Sequence, residues 1–162
     1  MRARWRSPAR PSIIGLATMT SFAEDESRRS RCARVLAVDD RSPFRDVLCE
    51  LIRAAPSLDL LAAADSGEAA VDVATRLEPD MVVMDVVMPG LGGIAAARRI
   101  KATSPGTVVV LVSTTHPDDL ACEVDDGLVD AVVWKAHLRP QLLEELWFSH
   151  RRGSGTGISP PT

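Results

Sequence analysis

Apolar and polar positions alternate along the chain in two rhythms. Short β-rich apolar runs occur at 34–38 (RVLAV), 58–63 (LDLLAA), 81–85 (MVVMD), 107–113 (TVVVLVS) and 130–134 (DAVVW). Between them lie stretches with helical spacing. In FRDVLCELIRAA, residues Phe44, Val47, Leu48, Leu51 and Ile52 fall on one stripe, the spacing of an amphipathic helix. Pro43 suits a first helical turn, and Ser42 before it is the expected cap. Further helices are expected over 66–77, 93–102, 116–127 and 139–150, the first opened by Ser66 and followed by Pro79, the third opened by Pro117 with two acids and stopped by Gly127.

Five strand–helix units in succession predict an α/β fold. The expected architecture is a flavodoxin-like, doubly wound (βα)5 domain: a parallel five-stranded sheet with helices on both faces and right-handed crossovers. A strand buried on both faces reads as an unbroken apolar run, as VVVLV does. The domain is expected over 33–150, between a basic disordered extension (1–32) and a disordered Gly/Ser/Pro tail (151–162).

Composition adds few constraints. At 46% hydrophobic and 25% charged, the 162 residues suit a globular domain with tails. With 4% aromatics, the core must be built from Val, Leu, Ala and Met. No run approaches the roughly 18 apolar residues of a membrane span. Cys32, Cys49 and Cys122 have no metal-site spacing and read as unpaired thiols in a reducing, cytoplasmic setting.

Charge is uneven. Residues 1–34 carry eight arginines against three acids, net +5, and the remainder carries 11 basic and 19 acidic residues, net −8. The basic arm shows no helical period and little aromatic interleaving, so direct DNA binding is not expected. Met19 offers an alternative start, and SIIGLATMTSFA, broken by Gly15, Thr18 and Thr20, makes a poor export signal.

Chemistry is expected where the strands end, because open doubly wound sheets bind ligands outside their carboxyl ends. The first strand is followed by Asp39 and Asp40, the third ends in Asp85, the fourth ends in Ser113, and the fifth is followed by Lys135; the second contributes only Asp65. Asp85 alone interrupts MVVMDVVMPG. An unpaired carboxylate inside such a run would be costly, so its place is at the edge of the core beside a cation. Three carboxylates in one crevice repel unless a cation joins them, and an all-oxygen set without His or Cys favours Mg²⁺ over zinc. A magnesium site, a lysine and a hydroxyl fit phosphoryl transfer to an aspartate.

VLAVDD (35–40), MVVMDVVMPGLGG (81–93), VVVLVS (108–113) and DAVVWK (130–135), in this order, resemble the receiver domain of two-component response regulators. The resemblance implies Asp85 as phosphoacceptor, Ser113 as switch hydroxyl and Lys135 as the lysine that contacts the phosphate. It implies Asp39, Asp40, Asp85 and the backbone carbonyl of Val87 as the Mg²⁺ ligands. A sensor histidine kinase or phosphotransfer protein would be the donor. Output would be by protein contact through the face made by 117–126, 130–134 and 139–149, with Trp147 as a candidate contact and self-association as an open alternative. With 27 residues after Lys135, no helix-turn-helix output domain is expected, and the chain reads as a stand-alone receiver or as a fragment of a longer protein.

The sequence also departs from that pattern. Val132 stands where an aromatic is usual, Gly92 where Asp is frequent, and Ala136 where Pro is usual. Trp134 is expected on the opposite face of the strand from Val132. A constitutive receiver-like interaction module with weakened switching is therefore the alternative. An aspartate-nucleophile phosphatase fits poorly, since its DxD would need the acids one residue apart. His116, His137 and His150 read as surface residues.

Overall fold

The computed structural model describes residues 32–120, 124 and 127–153. Five strands, β1 (Ala33–Val38), β2 (Leu58–Ala64), β3 (Met81–Asp85), β4 (Val108–Ser113) and β5 (Ala131–Trp134), form one parallel sheet in the order β2-β1-β3-β4-β5. The helices are α1 (Ser42–Ala54), α2 (Gly67–Leu77), α3 (Gly93–Thr103), α4 (Pro117–Leu120) and α5 (Pro140–Gly153), with one 3₁₀ turn at Lys135–His137. This is the expected flavodoxin-like arrangement. The chain reverses its direction of winding between β1 and β3, which opens a crevice at their carboxyl ends.

The core has two layers, as the strand pattern requires. On one face Val35, Ala37, Met81, Val83, Val110 and Val112 pack with Leu48 and Ile52 of α1 and Leu143 of α5. On the other, Leu36, Val38, Val82, Met84, Val109 and Leu111 pack with Ala70 and Ala74 of α2, Ala96, Ala97 and Ile100 of α3, and Leu120 of α4. Successive strand residues thus serve opposite faces; β3 and β4 are apolar on both sides until their last residues, and β1 is apolar apart from Arg34 near its start.

Several local expectations are corrected. Ser42 does not cap α1. Arg41 is the N-cap, with extended backbone (φ −92°, ψ 112°), and Ser42 already lies in the first turn. The helix starts early because the Asp39 Oδ1 accepts the Arg41 N–H at 2.8 Å. Val47 leaves the buried stripe and is 50% exposed, while Cys49 is buried in its stead. Helix α1 is rolled so that Leu48 and Ile52 point at the sheet centre. Ser66 does cap α2, its Oγ accepting from the Ala69 N–H at 3.2 Å. Only Pro117–Leu120 of the helix expected over 116–127 is described as helix, and Gly127 follows in the left-handed region at φ 87°. Helix α5 continues through Gly153, three residues beyond its expected end. The expected tails at 1–31 and 154–162, and Cys122, lie outside the described residues.

At the amino end of the sheet, one carboxylate joins three elements. Asp130 Oδ2 accepts the Val109 N–H at 2.7 Å and meets Lys101 Nζ of α3 at 2.6 Å, while its Oδ1 lies 3.0 Å from His150 Nδ1 of α5. His150, expected at the surface, is therefore half-buried.

Candidate functional site

The strand ends deliver the expected side chains into one crevice. Asp39 follows β1 and is fully buried, Asp85 closes β3 at 6% exposure, Ser113 closes β4 at 1%, and Lys135 opens the turn after β5. Ligand-capable oxygens of Asp39, Asp40 and Asp85 all lie within 4.8 Å of one another, the one such acidic grouping among the described residues. Asp65, after β2, is exposed and stands outside it. The parallel register makes this convergence unavoidable: Val38 pairs with Met84, and Asp85 with Val112, so the residues after β1 and at the ends of β3 and β4 come level.

Lys135 Nζ bridges the acids, 2.6 Å from Asp39 Oδ2 and 3.3 Å from Asp85 Oδ1. The other Asp39 oxygen holds the Arg41 N–H, and the Asp39 carbonyl accepts from Arg45 Nη1 at 2.8 Å. Each carboxylate oxygen of Asp39 thus has a partner. Asp40 differs: its Oδ1 is buried without a hydrogen-bond partner. A buried, unpartnered carboxylate oxygen beside two further carboxylates fits a hard divalent cation, which would supply the missing contact. Burial pushes the Asp85 carboxyl above the ordinary aspartate value; Lys135 opposes that shift, and the charges of Asp39 and Asp40 add to it.

The loop after Asp85 is held closely. The Val86 N–H donates to the Val112 carbonyl, and the Gly93 N–H to the Val86 carbonyl, each near 3 Å. A Cβ at Gly93 would stand 2.1 Å from the Asp85 carbonyl oxygen, so only glycine lets α3 begin there. Gly90 sits at φ 73°, and the Leu91 N–H donates to Glu68 Oε1 of α2 at 2.8 Å. Glu68 was not singled out by the sequence, where it reads as an ordinary first-turn acid. Val87 lies on this loop with its side chain 71% exposed.

Ser113 Oγ accepts the Thr115 N–H at 2.9 Å, which orders the segment after β4. Trp134 does not face away from Val132. The two are two residues apart on β5 and share a face, and Trp134 Nε1 donates to the Thr114 carbonyl at 2.9 Å. Its ring meets His116 and His137 edge-on, at centroid distances of 5.8 and 5.0 Å. Trp147 packs on the α1–α5 side of the core, and Phe148, 38% exposed, is the aromatic that α5 turns outward. Phe44 was read as a core-stripe residue; its ring also lies under Lys135.

Comparison with known proteins agrees with this geometry. The chain matches the response regulator receiver domain family over residues 35–146. It is 42% identical over 99 residues to a protein-glutamate methylesterase/protein-glutamine glutaminase of Colwellia psychrerythraea, covering 60% of this chain and 26% of that protein. A like-named protein of Anaeromyxobacter dehalogenans is 37% identical over 122 residues, with 72% and 35% covered. The chain therefore spans about a quarter to a third of the length of these curated relatives. Among solved structures, the response regulator domain of Thermotoga maritima CheB is 30% identical with a TM-score of 0.64, covering 80% of this chain and 100% of that one. The signal receiver domain of NarL from Mycobacterium tuberculosis shares the fold, with a TM-score of 0.68 at 21% identity over 75% and 98% of the two chains. The five-unit parallel sheet, the acids at its carboxyl end and the family match lead to one conclusion: this chain belongs to the response regulator receiver domain family of two-component signalling.

Proposed function

We propose that the chain is a magnesium-dependent phosphoacceptor in which Asp85 receives a phosphoryl group from a sensor histidine kinase or a phosphotransfer protein in the cytoplasm. One observation carries this reading: three carboxylates with oxygens within 4.8 Å of one another, two of them, Asp39 and Asp85, bridged by Lys135. Asp39, Asp40, Asp85 and the Val87 carbonyl would hold Mg²⁺, which when bound neutralises charge on phosphoryl oxygens. The unpartnered Asp40 oxygen and the all-oxygen donor set support that assignment.

The chemistry follows from the groups present. An Asp85 carboxylate oxygen attacks phosphorus, a P–O bond forms, and the P–N bond of a phosphohistidine breaks. The electron pair leaves on the imidazole nitrogen, which takes a proton. Lys135 offers a positive charge to the incoming phosphoryl oxygens, and Ser113 a hydroxyl at the next strand end. The rigid strand ends fix these positions before the donor arrives, which is where most of the rate advantage of such sites lies. The exposed side chains of Pro43 and Val47, beside Asp40, suit the docking of a donor helix.

Output is then by protein contact near Thr114–His116, Trp134 and α5, with the exposed Phe148 as an anchor. The effector is a separate matter from the acceptor. Val132 packs among apolar neighbours and cannot act as a rotating ring, which favours the second reading, an interaction module with weak switching.

Intact-mass spectrometry with Mg²⁺ and acetyl phosphate tests the first reading. The wild type should gain one phosphoryl group and Asp85→Asn none. A mass increment that survives the substitution would remove Asp85 from the role. Phosphorylation without any change in partner binding would leave the second reading standing.

A further inference from the structure

Lys135 is the only described cation shared by two acids of the cluster, and a third group holds it. Its Nζ lies 3.9 Å from the centroid of the Phe44 ring. The same nitrogen is 2.6 Å from Asp39 and 3.3 Å from Asp85, and the lysine side chain is only 11% exposed. The ammonium is therefore enclosed by two carboxylates and one aromatic face. Phe44 can be there because it opens the inward stripe of α1, one turn before Leu48, and that helix begins directly after the acidic pair.

A ring and a carboxylate attract a cation in different ways. The carboxylate also binds metals and protons; the ring face binds neither under these conditions, yet its quadrupole attracts an ammonium, most strongly where water is excluded. The shortest contact of Lys135 is to Asp39, an acid of the cation site itself. Were Asp39 to give that oxygen to a divalent cation, the ammonium would lose the contact and keep the ring. An ammonium held in place before the donor arrives has less positional freedom to lose in the transition state, which is how a positioning contact contributes to rate.

We propose that Phe44 is a positioning residue for phosphoryl transfer, its ring face holding the Lys135 ammonium within reach of the phosphoryl oxygens on Asp85 while Asp39 serves the metal. The proposal rests on the reading of Asp85 as acceptor and Lys135 as its phosphate contact. It is distinct from a packing role, although the Phe44 ring also touches the core around Leu48 and Ile52.

Packing and electrostatics separate in a fluorination series. Phe44 is replaced in the full chain by 4-fluoro-, 3,5-difluoro- and 3,4,5-trifluorophenylalanine, which nearly keep ring size while draining negative potential from its face. At saturating Mg²⁺ and with acetyl phosphate as donor, the phosphorylation rate constant should fall stepwise, about threefold to tenfold across the series. Phe44→Leu should lie at the low end, and Phe44→Trp should recover the rate. In a Lys135→Met background the series should be flat. Proton NMR supplies an independent reading: the Lys135 ε-methylene should be shifted upfield by the ring and return to its ordinary position in Phe44→Leu. A flat series in the wild-type background with phosphorylation intact, or an unshifted ε-methylene, overturns the proposal and leaves the acceptor reading untouched. Failure of the wild type to take any Asp85-dependent phosphoryl group overturns the acceptor reading, and the positioning role with it.

Discussion

The indole N–H of Trp134 donates to the carbonyl of Thr114, tying the end of the fifth strand to the residue directly after Ser113. A Ser113 hydroxyl turning toward a phosphoryl group would release the Thr115 N–H, and the pull on this bond would follow from that change in the same segment. The aromatic usual at position 132 is absent, and valine is stiff about its first torsion, so the pull has no inward-moving ring to travel through. Two states must differ in contacts if a ligand is to shift their populations. The expected outcome with beryllofluoride and Mg²⁺ is new hydrogen-exchange protection near Asp40, Asp85 and 113–116, reaching Trp134 and stopping before α5. Strong new protection through 140–153 would show a relay that the Val132 argument denies.

Asp85 carries a pH signature. Burial raises its folded-state pKa above the ordinary value of 3.8, while the unfolded chain titrates near that value. Between the two, the folded state binds more protons, so stability falls as pH rises through that interval, and the cost is fully present above it. Asp85→Asn removes the titration. Without metal it should be more stable than wild type at neutral pH, by on the order of 1 kcal/mol, and the difference should shrink as pH falls toward about 4. Urea unfolding at both pH values measures this. A variant less stable than wild type at pH 7 would mean that the contact with Lys135 outweighs burial.

Asp40→Ala removes the acid whose buried oxygen lacks a partner. Mg²⁺ affinity should fall by about tenfold or more, since one of few carboxylate ligands is lost. Stability without metal should hold or rise as repulsion is relieved. Fluorescence of Trp134, in a background with Trp5 and Trp147 replaced by Phe, reports the titration. Unchanged affinity would exclude Asp40 as a ligand.

Gly93→Ala places a methyl group 2.1 Å from the Asp85 carbonyl oxygen, a backbone atom that cannot swing aside. The start of α3 and the end of β3 must separate. A loss of about 2 kcal/mol or more is expected, with phosphorylation slowed because Asp85 itself moves. Thermal unfolding and the acetyl phosphate assay read the two effects. A stable, fully active variant would show that the loop yields more easily than the close approach implies.

Much of this was legible in the amino-acid order, for a geometric reason. Strands of a parallel sheet end level, so Asp39, Asp40, Asp85, Ser113 and Lys135 need only be recognised as strand-end residues to be placed together. Phe44 was legible only as a stripe residue, because helical spacing reports which face is buried and is silent about which cation lies over a ring. The same spacing could not choose between Val47 and Cys49, which flank the Leu48–Ile52 axis on either side. Trp134 and Val132 required only counting by two to be put on one face of β5. The pairing of His150 with Asp130 joins residues twenty apart through the stacking of α5 on the sheet, and no local pattern carries it.

The Asp130 junction gives the domain a mechanical polarity. At the amino end of the sheet one carboxylate clasps β4, α3 and α5, while the acids, the hydroxyl and the lysine stand at the opposite end, on the last residues of the strands and the turns directly after them. The molecule is built like a book bound along its spine. A charge added at the far edge would then act on a part of the domain that this clasp does not touch, and the start of β4, pinned with α3 and α5, would keep its register.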